Sequence, residues 1–306
     1  MKTTVFIGLI SAFISIGWGI TAAEAEIKVG IAAALTGPTA KIGEEQEIGA
    51  LKAIEHLNNN GGLLGEKIIA ITEDDACEEL QAKAVARQMV SEDVVFVVGH
   101  LCSACSLATS KIYEEAGIIM ITPASTNPKV TDEGGPNVFR LSGRDDQQGI
   151  IAGDYLADNH SKSNIAIIHD SQAYGLGLAE FTKHQLNKRG ITEVLYDGYK
   201  PFQRGYTPLI NKLVNKKVDV LYAGGYMDDI GIIIRQAKKR LPNLRLFSGD
   251  GLMNVEFIHI AGNAGVGTYF TFGPDMRLKP EAKEVVAAIR EEEAYEPEGY
   301  TLYSYS

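Results

Sequence analysis

Short apolar runs along the chain repeatedly give way to longer stretches in which apolar residues recur every three or four positions. The runs read as strands and the stretches as amphipathic helices. Residues 27–35 predict a strand, Thr36-Gly37-Pro38 a turn, and 43–59 a helix with Ile48, Leu51, Ile54 and Leu57 at helical spacing. Asn60-Gly61-Gly62 stops that helix as a left-handed cap. A strand at 67–73, a helix at 78–91, a strand at 94–99, a helix at 104–116 and strands at 118–121 and 138–141 follow. The 94–99 run has no polar alternation, the mark of a parallel strand buried on both faces. The rhythm restarts near Gly143 to Asp145. Helices are expected at 147–159, 176–189, 208–215, 228–240, 255–261 and 281–292. Strands are expected at 165–169, 194–196, 218–223, 245–248 and 267–272.

Alternation of this kind builds parallel sheets with crossover helices. Two runs of it predict an α/β protein of two doubly wound parallel-sheet lobes. Residues 300–306 read as the start of a helix without a cap, so the C-terminal part is expected to be missing and the first lobe incomplete. The length of 306 residues agrees with about two domains at about 150 residues each.

The first residues read as an address. Lys2 supplies a positive start, 5–20 are mostly apolar, and Ala23-Glu24-Ala25 is an A-x-A cleavage pattern. This is a secretory signal peptide, cut after Ala25. Its apolar core is shorter than the roughly 20 residues a membrane span needs. The mature chain is therefore expected to be soluble and exported.

Charge and motifs exclude several functions. A net charge of −10 argues against nucleic-acid binding, which rests on neutralising phosphates with Lys and Arg. Gly175 and Gly177 open a helix after a strand, but the third glycine of a dinucleotide fingerprint is missing. There is no nucleophile elbow or P-loop, and the six His at 56, 100, 160, 169, 184 and 259 form no zinc motif. His169-Asp170 reads as a strand-end polar pair and Glu291-Glu292-Glu293 as a solvated helix end. Export permits disulfides among Cys77, Cys102 and Cys105, and the odd count leaves one thiol over. Cys102-Ser103-Ala104-Cys105 is C-x-x-C at a helix start, open to a redox or metal reading as well as a structural one. No cofactor or metal is expected.

Polar residues after strands carry the remaining signal. In open α/β sheets ligands sit at the carboxyl ends of strands. Leu101, Cys102 and Ser103 follow one predicted strand and lead into a helix. A Ser there offers a hydroxyl and free backbone N–H groups, which suit a carboxylate, or serves only as a cap. Ala124, Ser125 and Thr126 follow the next strand. Tyr226 follows Gly224-Gly225, and Asp250 stands between Gly249 and Gly251. A carboxylate site on one lobe and an acid on the other would suit an α-amino acid.

The mature chain resembles the branched-chain amino acid binding proteins of bacterial ABC importers, within the type I periplasmic binding proteins. The resemblance lies in Ala34-Leu35-Thr36-Gly37-Pro38, Asp74-Asp75-Ala76-Cys77, Gly99-His100-Leu101-Cys102-Ser103 and Thr122-Pro123-Ala124-Ser125-Thr126-Asn127-Pro128. It continues in Ile165-Ala166-Ile167-Ile168-His169-Asp170 and Gly224-Gly225-Tyr226. It implies a hinge of three crossings, with 26–143 plus 274–306 in the first lobe and 144–273 in the second. The third crossing would lie beyond Ser306. It also implies a Cys77–Cys102 disulfide with Cys105 extra. Ser103 and the Thr126 backbone would hold a ligand carboxylate. The Ala124 carbonyl, the Thr126 hydroxyl and Asp250 would hold its ammonium. Tyr174 and Tyr226 would come from the second lobe, and Leu101, Cys102 and Tyr300 would line the side-chain pocket. Ile42 stands where that group has an aromatic, and Asp250 where it has Glu. The implied function is capture of an aliphatic amino acid for a membrane ABC permease, by a monomer without catalysis. The alternatives are the same fold holding a short amide, urea or an aromatic acid, and a secreted thiol oxidoreductase.

Overall fold

The computed structural model describes residues 26–306; the signal peptide expected at 1–25 lies outside the described residues. The first series comprises β1 (Glu26–Ala33), α1 (Ala40–Asn59), β2 (Lys67–Asp74), α2 (Glu79–Ser91) and β3 (Phe96–Gly99). It continues with α3 (Ser103–Ala116), β4 (Ile119–Thr122), α4 (Lys129–Asp132) and β5 (Val138–Arg140). The second comprises α5 (Asp145–His160), β6 (Ile165–His169), α6 (Ala173–Lys188), β7 (Leu195–Gly198), α7 (Thr207–Asn215) and β8 (Val220–Gly224). It ends with α8 (Met227–Ala237), β9 (Arg245–Ser248), α9 (Glu256–Ala261) and β10 (Tyr269–Phe270). Then come α10 (Lys283–Glu292) and α11 (Thr301–Tyr305).

Two separate sheets result, ordered β2-β1-β3-β4-β5 and β10-β9-β8-β6-β7, and every pairing is parallel. The expected two-lobed α/β architecture is therefore present. In each sheet the order runs outward in both directions from an internal strand, so loops diverge at the strands' carboxyl ends and leave a crevice. The chain crosses between sheets after β5 and returns after β10 to α11, which packs on α1. Helix and helix touch closely at Gly49, where a Cβ would stand 2.0 Å from the Thr301 carbonyl oxygen. His56 Nδ1 and the Tyr305 hydroxyl are 2.9 Å apart across the same seam.

The second sheet is filled on both faces. Ile165, Ile167, Val220 and Tyr222 face Leu156, Leu178 and Leu186 of α5 and α6. Ala166, Ile168, Leu221 and Ala223 face Ile210, Leu213, Ile230 and Ile233 of α7 and α8. The first sheet is filled on one face, and on the other only where α1 covers β1. Val97 and Met120 join Val85, Met89 and Tyr113 of α2 and α3. Phe96, Val98 and Ile121 line an apolar groove of about 430 Å³ beside α1 and α11. The 94–99 strand is thus not buried on both faces, which corrects the expectation. It also starts later, because the Val94 N–H closes the end of α2 on the Met89 carbonyl at 3.1 Å.

Other bounds shift for local reasons. The strand expected at 267–272 keeps only Tyr269 and Phe270, on the sheet's edge with one neighbour, β9. Helix α8 ends at Ala237 rather than 240, and α6 starts at Ala173, three residues early. The turn α4 was not expected; the Pro128 and Asn127 carbonyls anchor its first bonds.

Candidate functional site

The loops at the carboxyl ends of β3, β4, β8 and β9 converge between the sheets. The loop after β3 is held from below. His100, fully buried, places Nδ1 2.6 Å from Asp75 Oδ2 and Nε2 3.1 Å from the Tyr113 hydroxyl. Asp75 also accepts the Cys77 N–H at 2.8 Å. Cys77 and Cys102 are joined, with their Cα atoms 5.6 Å apart, as the resemblance implied. These ties fix the start of α3, whose first N–H groups have no partner inside the helix and form its positive end.

That end is where Ser103 sits, as the first helical residue with Cys102 before it. The Ser103 hydroxyl is buried and accepts the Asn127 N–H at 3.2 Å. After β4, the Thr122 hydroxyl accepts the Ala124 and Ser125 N–H groups and donates to the His100 carbonyl at 2.7 Å. The loop is thereby folded so that Ala124 faces the crevice. The Thr126 hydroxyl is buried without a well-formed hydrogen bond.

Opposite, on the second sheet, Asp250 follows β9 and is buried. Its Oδ1 accepts from Gln148 Nε2 at 2.6 Å and from the Tyr174 hydroxyl at 3.0 Å. Its Oδ2 accepts from the Tyr300 hydroxyl. The Tyr174 oxygen in turn accepts the Gly251 N–H at 2.8 Å. Tyr226 lies tilted against Tyr174 with ring centroids 5.0 Å apart. Ile42, Leu101, Ser103, Ala124, Tyr174, Tyr226, Asp250 and Tyr300 enclose a cavity of about 10 Å³, room for roughly one water. Asp250 and Tyr300 divide it from a more open cavity of about 600 Å³ that also reaches Thr126, Arg144 and Gln148.

The crevice is closed by contacts across it. Asn127 Nδ2 donates to the Ala173 carbonyl at 2.6 Å, and Asn254 Nδ2 to Glu45 Oε1 at 2.7 Å. Burial pushes the Glu45 carboxyl up to about 8.

Burial also raises the Asp250 carboxyl, opposed by its three side-chain donors and a backbone bond. A second carboxyl, Asp145 at the start of α5, is raised by burial and then by Asp250. Arg140, a cation acting on it, spends its N–H groups on the Asn127 carbonyl at 2.9 Å and the Thr131 hydroxyl at 2.9 Å. The corner is acidic and buried, and it faces a helix N-terminus. Such a pair of poles complements a small zwitterion, because burying either charge alone is costly.

Of the residues singled out from sequence, Leu101, Ser103, Ala124, Tyr174, Tyr226, Asp250 and Tyr300 line the small cavity, and Thr126 lines its neighbour. Ser125 and Cys102 do not. The Ser125 hydroxyl is spent on the Leu101 carbonyl at 2.9 Å and the Ser106 hydroxyl at 2.8 Å, and the Cys102 sulfur on Cys77. Both brace the loops from behind. Gln148, Asp145 and Glu45 were not anticipated as site residues. Gln148 bridges Asp250 and the Thr271 hydroxyl, a pairing no local motif signals.

The remaining motifs prove structural. Gly175 packs α6 onto β8; a Cβ there would stand 2.6 Å from the Gly224 carbonyl oxygen. Asp170 accepts the Gln172 N–H at 2.9 Å at the mouth of α6, and His169 accepts the Ser171 N–H at 3.1 Å. The redox reading fails. Cys102 is already paired, and Cys105 is buried, its thiol pushed up by burial and by Asp75, opposite to an activated thiolate. Among the described residues no His/Cys/Asp/Glu cluster could hold a metal, and no helix is long and apolar enough to cross a membrane.

A fold of two parallel sheets with a polar crevice at their carboxyl ends defines a bilobal binding protein. The chain belongs to the periplasmic binding protein family, whose model matches residues 26–306. It is 42% identical over 307 residues to Leu/Ile/Val-binding protein homolog 1 of Brucella suis, covering all of this chain and 82% of that one. A solved leucine binding protein from Thermotoga maritima superimposes with a TM-score of 0.83 at 27% identity, over 91% of this chain and 79% of that chain. A solute binding protein from Rhodopseudomonas palustris, solved with 3,4-dihydroxybenzoic acid, superimposes with a TM-score of 0.78. It is 20% identical, over 92% of this chain and 77% of that chain, so it shares the fold alone.

Proposed function

We propose that the chain is the exported solute-binding component of an ABC importer and captures an aliphatic, branched-chain amino acid between its two lobes. The observation that carries this reading is the polarity of the crevice. A helix N-terminus with Ser103 stands on one side and a buried, partly compensated acid, Asp250, on the other. In this reading Ser103 and the Thr126 backbone hold the carboxylate. Asp250, the Ala124 carbonyl and the Thr126 hydroxyl hold the ammonium. Ile42, Leu101, Tyr226 and Tyr300 receive the side chain. Lobe residues 26–143 with 274–306 close on 144–273, and the closed form is what the permease recognises. The names of the relatives support the amino acid class. The neighbour solved with an aromatic acid shows that the fold does not choose the ligand, and Asp250 favours one bearing an ammonium.

The small free volume means the lobes separate to admit a ligand. Burying an aliphatic side chain there contributes about 2–3 kcal/mol. A pocket of this kind separates ligands differing by one methylene only ~10–200-fold. Calorimetric titration of refolded protein against Leu, Ile, Val, Ala, Phe, Glu and 3,4-dihydroxybenzoate tests the reading. Saturable 1:1 binding of aliphatic amino acids, weakened at least about 100-fold by Asp250→Ala as for a charged partner, is the expected result. Binding of the aromatic acid alone would overturn it.

A further inference from the structure

Asp145 has no part in the ligand set above, yet it is wholly buried beside it. Its backbone N–H donates to the Thr126 carbonyl at 3.0 Å, so the two residues face one another. Gln148 Nε2 approaches its Oδ1 only at 3.5 Å, and its Oδ2 has no partner. The Thr126 hydroxyl is likewise buried and unsatisfied by ordinary geometry, and it lies close enough to favour the ionised Asp145. Two adjacent buried polar groups are thus left open, which is uncommon in a native fold unless something completes them.

A hydroxyl has one proton and two lone pairs. For Thr126 to accept an N–H from a ligand, its own proton needs another acceptor. We propose that Asp145 is a positioning residue that makes the site selective for ammonium: its carboxylate takes the Thr126 O–H and turns the hydroxyl lone pairs toward the ligand. The ammonium corner then consists of acceptors only, namely Asp250, the Ala124 carbonyl and Thr126. An ammonium has three N–H donors for them. A hydroxyl in its place has one and sets its lone pairs against the rest.

The charge balance agrees. The groups facing Asp145 are Asp250 after β9, Arg140 on β5, Asp146 and Gln148 on α5, Tyr174 on α6, Tyr222 on β8, Tyr226 before α8 and Tyr300 before α11. Asp146 is paired with Arg144 at 2.9 Å, and Arg140 is engaged elsewhere. A ligand cation is what would let both carboxylates ionise together, so binding releases protons and tightens as pH rises. This inference rests on the proposed capture of an amino acid.

The test is calorimetric titration of the whole chain with leucine and with the hydroxy acid carrying O–H in place of its ammonium. The unmodified protein should favour leucine. Asp145→Asn should weaken leucine by about 10- to 100-fold, as expected for a charge-assisted hydrogen bond, and the hydroxy acid by less than about 3-fold. It should also flatten the rise of the leucine preference with pH. Thr126→Val should reduce the same preference, and Asp145→Asn should add nothing to it. Equal losses for both ligands, or an unchanged preference, would overturn the inference. If Asp145→Asn does not fold, Thr126→Val and the pH profile of the unmodified chain decide alone, and a flat profile overturns it. An unmodified chain that binds neither ligand overturns the amino acid reading as well, and that outcome is separate from the others.

Discussion

The two sheets share strand number, parallel pairing and order, yet they are stabilised differently. In the second, every residue of β6 and β8 is buried, and alternate side chains feed two cores, one under α5 and α6 and one under α7 and α8. In the first, one face is packed under α2 and α3. On the other, α1 covers β1, and Val95 is left 55% exposed at the rim of the groove. The lesson is that an all-apolar strand reports the capacity for two-sided burial, whereas the number of covered faces depends on which helices reach it. The first lobe makes up part of the difference covalently, through the Cys77–Cys102 bridge. The second has no cysteine at all.

The comparison breaks most easily at core truncations. Ile167→Ala in β6 should cost about 4 kcal/mol, while Val98→Ala on the open face of β3 should cost about 1 kcal/mol. Urea unfolding of both variants measures this. Equal losses would mean the groove face is as well packed as the second sheet. Next, Cys77→Ala with Cys102→Ala should lower stability by about 3 kcal/mol, from the 25-residue separation of the bridge. Amide exchange should quicken in β1–β4 and stay unchanged in β6 and β8; a uniform change would show the two lobes unfolding as one.

A pH-dependent effect concerns the contact that links the lobes. Glu45 of α1 accepts from Asn254 of the second lobe and from the Tyr300 N–H. Its folded value of about 8 exceeds the ordinary 4.5, so the folded state holds the proton longer. Its contribution is therefore full below about pH 4.5 and is lost as pH rises toward 8. Over that window the unmodified protein should lose roughly 5 kcal/mol at this residue, and Glu45→Gln should flatten the slope. An unchanged slope would detach Glu45 from the closure of the crevice.

Much of the architecture was legible because parallel strands leave a strong trace. Ile165–His169 and Val220–Gly224 can only be strands buried between helices, and both stand within two residues of their predicted limits. The failures have local causes. Val94 belongs to the turn that ends α2, and the edge strand at Tyr269–Phe270 has one neighbour instead of two. Within the candidate site, residues directly after strands were visible, since the end of a strand is fixed by its neighbours in sequence. Asp145 and Gln148 were not, because one hides in an acidic helix start and the other looks like any polar residue on a helix.

The sequence by itself determined the alternation of strands and helices, their division into two series, the polar residues at strand ends and the family to which the chain belongs. Those properties are written in period, spacing and local turn chemistry. The tertiary structure alone decided which faces are covered, that Ser125 and Cys102 brace rather than line the crevice, and that Asp250 draws donors from positions 148, 174 and 300. These depend on distances between segments 24 to 102 residues apart. Packing within each lobe and, at Tyr300, of one lobe against the other sets them, and no period in the chain records it.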